Sequence, residues 1–262
     1  MITQLLVRLV AWAVLGYMLL PLVVILGVSV TATSFLAFPP QGWTLDWYAK
    51  MLSDPSYVAS FATSTVLALA ATFVAVLLSV PAALAMARYE FRGKGTILAA
   101  LTSPLVFPHI VLGAALLQFG GYLGLTRSFL ALLIGHTIII SPFVLRSVLS
   151  MLTPEQRALE EASSDLGGTP WTTFFLVTLP QIRPGLVTGS IFAFISSWIN
   201  VELSIFNTTP DLNTIPVKLF NYVQYTVDPT IAAASGATIL VVVIAVIILD
   251  LCIGLDLLSE RK

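Results

Sequence analysis

Long apolar runs alternate with short polar segments along this chain, and none of the runs shows the period-two alternation of a half-buried strand. Six of them, at residues 9–30, 58–87, 96–119, 129–149, 186–206 and 231–249, are read as spans, because roughly 18 to 20 apolar residues carry a helix across about 30 Å of hydrocarbon. The bilayer core offers no water to satisfy a backbone, so helices are the economical reading of such runs and a barrel is not. The first run begins just after Arg8 and outlasts the roughly 7 to 15 apolar residues of a signal-peptide core. The expectation is an all-α integral membrane protein with six transmembrane helices. It forms a single domain over 1–262, with a first helix at about 9–30 and a five-helix core at about 55–257.

Composition agrees with the pattern: 58% of the 262 residues are hydrophobic and only 10% charged, far from a soluble domain of this size. A net charge of −1 excludes a broad basic face, and with it nucleic acid as a partner. Cys252 is the single cysteine, so no intrachain disulfide forms. Cytoplasmic flanks retain lysine and arginine during insertion. Placing both termini inside gives that side Arg8, Arg88, Arg92, Lys94, Arg146, Arg157, Arg183, Arg261 and Lys262, against Lys50, Arg127 and Lys218 outside. The outer loops are then 31–57, the short 120–128 and 207–230.

The segment 153–180 falls on the cytoplasmic side and carries its own folding signals. Thr153 before Pro154, Glu155 and Gln156 predicts a helix start, with a hydroxyl cap, proline at the first helical position and a glutamine placed for a capping box. The helix should end at Gly167-Gly168, where glycine takes the left-handed conformation that a C-terminus favours. Thr169-Pro170 predicts a second start, and Trp171, Phe174, Phe175 and Val177 form an apolar stripe that ends at Pro180. Two short helices joined at a glycine hinge fit either a solvated connector or a docking element for a cytoplasmic protein.

The residues "EASSDLGGTPWTTFFLVTLP" resemble the EAA loop of binding-protein-dependent ABC importer permeases. Glu161, Ala162, Gly167, Leu179 and Pro180 fall on its pattern, while Ser163 and Val177 replace an alanine and an isoleucine. The stretches "HTIIISPFVLRSVLSML" and "FAFISSWINVELSIF" on either side resemble the flanking helices of spermidine/putrescine-type permeases, and the likeness runs from about residue 55 to the end. The resemblance implies the type I importer transmembrane fold in a bacterial inner membrane. It also implies a cytoplasmic ATPase dimer, a homologous second permease and a periplasmic or extracellular substrate-binding protein as partners. ATP and magnesium then belong to the ATPase, and this chain holds no cofactor. The short helix would sit in a cleft of the ATPase, with Glu160, Glu161 and Asp165 toward basic groups, Ala162 and Ser163 allowing close approach, and Gly167 and Gly168 making the turn. A nucleotide-binding loop is missing: the nearest candidate, Gly93-Lys94-Gly95, has Arg88 where the first glycine belongs and Gly95 where the hydroxyl belongs.

Charge inside a bilayer costs a few kcal/mol and therefore faces a cavity or a partner. Glu202, expected near the outer mouth of the fifth helix, is either an interfacial carboxylate or a pathway-lining acid. Asn200, Ser196 and Ser197 on that helix add polar contacts or help helices approach. Asp250 and Asp256 read as interface residues at the inner end of the sixth helix. His109 and His136 read as satisfied histidines, with His109 also a candidate for the translocation pathway beside Glu202, Asn200 and Ser197, and two histidines far apart without a nearby cysteine make no metal site. At the position of His109, polyamine permeases often carry an acid in a "PEIVLG"-like stretch; "PHIVLG" here weakens a cationic solute. Trp43, Trp47, Tyr48, Tyr222 and Tyr225, with Asp46, Asp54, Asp211 and Asp228, populate the outer loops as an interfacial belt or as a face toward the binding protein. An ion-gradient-driven secondary transporter is the alternative function; an intramembrane enzyme lacks any paired catalytic group.

Overall fold

The structure, a computed structural model, describes residues 2–253, with side chains described over 4–248. The side chain of Asp250 and the residues Asp256, Arg261 and Lys262 lie outside the described residues. Every regular element among the described residues is helical. In order these are α1 (Ile2–Val28), α2 (Asp46–Ser53), α3 (Pro55–Arg88), α4 (Lys94–Thr102), α5 (His109–Leu123), α6 (Phe129–Leu149), α7 (Pro154–Asp165), α8 (Pro170–Thr173), α9 (Leu179–Trp198), α10 (Ile215–Tyr225) and α11 (Thr230–Ile253). Short 3-10 turns occupy Ser103–Leu105 and Ser204–Phe206, and a π turn occupies Phe174–Thr178.

By length and composition four helices are fit to cross a membrane: Gln4–Val28, Pro55–Arg88, Phe129–Leu149 and Thr230–Ile248. The predicted fourth run coincides with α6, because Ser128 caps its first turn by accepting a hydrogen bond from the Ala131 N–H at 3.1 Å.

The third run, 96–119, is not one helix. Lys94–Leu105 and His109–Leu123 meet at a bend of 103° and add a fifth crossing only if counted as one span. Pro108 lacks the N–H that would continue the ladder, and its ring disfavours the α region at the residue before it; the proline itself is extended, at ψ 126°.

The fifth run, 186–206, is also displaced. Its helix α9 ends at Trp198 and is not among the four. Upstream, α8, the π turn and α9 follow one another without a break from Pro170, so the helix expected to stop at Pro180 runs on. A proline ring in an α-helix clashes with the carbonyl four residues back, here that of Leu176, and the wider π turn immediately before it relieves that clash.

The chain divides into two compact units. In the unit built on Ser60–Val217, the core is the apolar meeting of α3, α6 and α9: Ala71, Ala75, Ile140, Val144, Val148, Ile182 and Ala193 are all buried. α6 and α9 touch backbone to backbone. A Cβ on Gly185 would lie 2.4 Å from the Ser147 carbonyl oxygen and one on Gly189 2.8 Å from the Val144 Cα, so the two glycines, four residues apart, set the approach. In the other unit, the residues up to Ala59 fold with Lys218–Val243. Here α1 carries its apolar side chains outward, as a helix facing hydrocarbon does.

Candidate functional site

The loop 153–180 folds by the signals its sequence carries. Thr153 caps α7 by accepting from the Gln156 N–H at 3.5 Å, with Pro154 at the first position. Only half of a capping box forms, since the buried Gln156 amide finds no protein partner. The Thr153 N–H goes instead to the Met151 carbonyl at 3.1 Å, while its hydroxyl bonds the Glu155 carboxylate and holds it below the usual carboxylate range. At the other end, Gly167 (φ +86°) donates to the Ser164 carbonyl and Gly168 to that of Ser163, both at 2.9 Å, the paired closure of a glycine-ended helix. The two glycines serve different needs: Gly167 supplies the conformation, with open space around it, and Gly168 supplies room, because a Cβ there would sit 2.7 Å from the Ser163 carbonyl. Thr169 then caps α8 through the Thr172 N–H at 3.2 Å. Trp171 and Phe175 stack with centroids 6.1 Å apart, and both are exposed.

The predicted loop residues separate onto two faces. Glu161, Ala162 and Asp165 are exposed, and Glu161 meets only Arg157, one turn back, at 3.1 Å. Around them lie Leu159 (54% exposed), Leu166 (90%) and Leu176 (72%), which with Ala162 and Pro180 line an open apolar groove. Ser163 is half-buried and bonds Thr173 at 2.9 Å; Leu179 is half-buried too. Glu160 departs from the expectation: its side chain is 13% exposed and faces the chain's own Arg88 and Thr178, so it is not a surface acid. Sequence reasoning missed Arg88, Thr178, Leu159 and Leu166. The leucines were detectable, as large apolar residues on an otherwise polar helix.

A second polar constellation lies where α9 ends. Asn200 captures the Leu203 N–H with its side-chain oxygen at 2.9 Å, offering the backbone a partner that the helix would otherwise supply, and the chain turns. Glu202 therefore stands exposed in this turn and not on the fifth helix. His136, on α6, is buried with both ring nitrogens engaged, Nδ1 with Ser197 at 2.8 Å and Nε2 with Ser204 at 2.9 Å. Ser204 gives its proton to the Asn200 carbonyl at 3.0 Å, so it must accept from His136 Nε2–H, which leaves Nδ1 to accept from Ser197. The same counting reaches His109: the Asn200 oxygen is already taken by Leu203, so its amide N–H faces His109 Nδ1 at 3.3 Å and that nitrogen accepts. One directed chain of hydrogen bonds thus fixes the turn against α6 and the first residue of α5. His109 and Asn200 are neighbours, and Ser197 is a buried support, its hydroxyl committed to His136. Among the described residues no three His, Cys, Asp or Glu side chains gather as a metal site requires.

Within the other unit, Lys50 donates to Asp228 at 2.9 Å and Tyr222 to the same oxygen at 3.1 Å. Burial pushes the Asp228 carboxyl up, but the bonds from Lys50, Thr230 and Tyr222 outweigh it and hold the group below the usual range. Trp47 donates to the Thr31 carbonyl and Tyr48 to the Ser29 hydroxyl, each at 2.9 Å, so these two aromatics serve the fold of the loop, whereas Trp43 and Tyr225 stand exposed.

The family described as binding-protein-dependent transport system inner membrane component matches residues 75–257. The putrescine transport system permease protein PotI of Escherichia coli (strain K12) is 31% identical over 201 residues, 74% of this chain and 72% of that protein. The spermidine/putrescine transport system permease protein PotC of the same organism is 30% identical over 237 residues, covering 90% of this chain and 89% of PotC. A chain in the crystal structure of a bacterial ABC transporter involved in the import of the acidic polysaccharide alginate superposes with a TM-score of 0.69 at 18% identity, over 97% of this chain and 95% of that one.

Proposed function

This chain belongs to the family of binding-protein-dependent transport system inner membrane components, and from that premise we propose that it moves a polyamine-class solute by alternating access powered by ATP hydrolysis on a partner subunit. It is a permease subunit of an ABC importer with the transmembrane fold of type I importers, and it is not itself an enzyme. The proposed assembly pairs it with a second permease and an ATPase dimer in a bacterial inner membrane, with loop 153–180 on the cytoplasmic face.

One observation carries the mechanism: the loop and the intramembrane turn are the two ends of a single run of helix from Pro170 to Trp198. At 1.5 Å per residue that run is roughly 40 Å long, about the thickness of the membrane with its interfaces. The exposed face of α7 docks on the ATPase through the apolar groove, with Glu161 and Asp165 placed for basic partners. Closure of the ATPase dimer displaces α7, and α9 carries the displacement to Asn200 and Glu202. There the exposed carboxylate of Glu202 attracts an ammonium group, while the half-buried His109, held by Asn200, offers a polar contact beside a broken helix, the arrangement that suits solute binding within a bilayer.

The test is uptake of labelled putrescine by the complete complex in proteoliposomes. ATP-dependent accumulation that unlabelled spermidine suppresses and trehalose does not is the expected result. ATP-dependent accumulation of the sugar without the polyamine would overturn the solute class and leave the importer standing.

A further inference from the structure

The cytoplasmic docking face explains Glu161 and the exposed leucines, but it leaves a half-buried polar junction beside it unused. Arg88, the last residue of α3, donates through Nη2 to Glu160 on α7 and, at 3.2 Å, to the hydroxyl of Thr178. Thr178 passes its own proton to the same Glu160 oxygen at 2.5 Å and is fully buried. Three elements that are distant in sequence, α3, α7 and the π turn, therefore meet at one carboxylate oxygen.

We infer that Arg88 and Thr178 are positioning residues for coupling: through Glu160 they deliver a displacement of α7 to α3 and α9 together. This rests on the importer reading above and adds a second route for the motion, into α3. Three features point to it. The Glu160 carboxylate is engaged within the chain, by Arg88 and Thr178, although the junction opens into the groove that Glu161 and Asp165 also line. A half-buried ion pair contributes little net stability once side-chain ordering and partial desolvation are counted; its value lies in fixing one register. Thr178 also closes the single π turn among the described residues. Converting that turn to α geometry would rotate what precedes it by about 100° relative to α9, at 3.6 residues per turn, and would carry the Thr178 hydroxyl off Glu160. The hydrogen bonds at Thr178 hold the turn in its wide form while α7 is seated, which makes the turn a place where loop position and helix register change together.

The test uses the complete complex in proteoliposomes, with Cys252→Ser and Glu202→Cys as a common background, and needs no knowledge of the solute. A membrane-impermeant methanethiosulfonate reagent reports the exposure of position 202 in the nucleotide-free and the ATP–vanadate-trapped states. In that background the labelling rate changes between the two states by about tenfold, as expected for a site that alternates between exposed and closed. In R88E the change is lost while ATP hydrolysis and recovery of the complex persist; in the swap R88E/E160R it returns, and T178S retains what T178V loses. Loss of complex recovery, hydrolysis and the labelling change in step, without rescue by the swap, would make the junction a structural staple and overturn the inference, as would an unaltered labelling change in R88E. Absence of the change in the unsubstituted background would instead count against the importer mechanism itself.

Discussion

The most informative single residue is His136, because its role follows from proton counting. Ser204 has one proton and gives it to the Asn200 carbonyl, which makes Nε2 a ring nitrogen that donates, with the Ser197 hydroxyl at Nδ1. Replacing His136 with alanine leaves the buried Ser197 hydroxyl without its acceptor and the buried Ser204 oxygen without its donor. At roughly 1 to 3 kcal/mol for each unsatisfied group, His136→Ala should lower the unfolding midpoint of the purified protein in detergent by several degrees. His109→Ala, half-buried at the end of the same chain, should leave that midpoint within about 2 °C of wild type and act on transport instead. Equal losses of stability in the two variants would contradict the directed chain. These partners were hard to read from the sequence, since residues 61 and 68 positions away from His136 are joined to it by no local signal. The local signals succeeded: Thr153, Gly167, Thr169 and Pro170 each act within a few residues, and each sits where the pattern put it.

At the scale of elements, the glycine pair after α7 makes a prediction with two parts. Gly167 has open space but a left-handed backbone, so Gly167→Val pays about 1 to 2 kcal/mol of backbone strain and should loosen the α7–α8 turn while the spans remain inserted. Amide hydrogen exchange over 160–170 should accelerate in that variant by about tenfold, and ATP-dependent uptake should fall; unchanged exchange and uptake would remove the hinge from the mechanism. The Lys50–Asp228 contact gives α2 a pH dependence. Asp228 titrates below its ordinary 3.8, so its contribution is complete above that pH and fades as the pH falls through the depressed value. Lys50, raised above 10.5 first by its bond to Asp228, contributes below 10.5 and loses its part as the pH rises through the higher folded value. With Lys50 largely exposed the pair is worth under about 1 kcal/mol. Protection of the α2 amides relative to their intrinsic exchange rate should therefore be flat across neutral pH and fall below pH 3.8, and Asp228→Asn should show the lower protection already at pH 7 without the acid limb. The elements that sequence periodicity misjudged share one cause. Hydropathy registers how apolar a run is and is blind to proline's missing N–H at 108 or to a side chain that captures a backbone amide at 200, so 96–119 and 186–206 read as plain spans.

At the scale of the whole molecule, the loop is an exposed, acid-flanked apolar face on a chain that holds no nucleotide-binding loop, joined by one helix to a polar break inside the apolar core. On the importer reading proposed above, this is the surface at which an energy-supplying partner docks. The resemblance of 153–180 to an EAA loop led to this surface, whereas the inward turn of Glu160 and the partnership of Arg88 with Thr178 required the fold. The central claim is that loop 153–180 is where the ATPase docks. Its most direct test is purification of the chain co-expressed with the ATPase and second permease of its own transport system, comparing wild type with Glu161→Lys. The account predicts a stable complex with ATP hydrolysis for the wild type and, on reversal of this exposed charge, a drop in ATPase recovery of about tenfold with the permease still in the membrane. Recovery of the chain alone, or of an ATPase complex indifferent to Glu161→Lys, would contradict it.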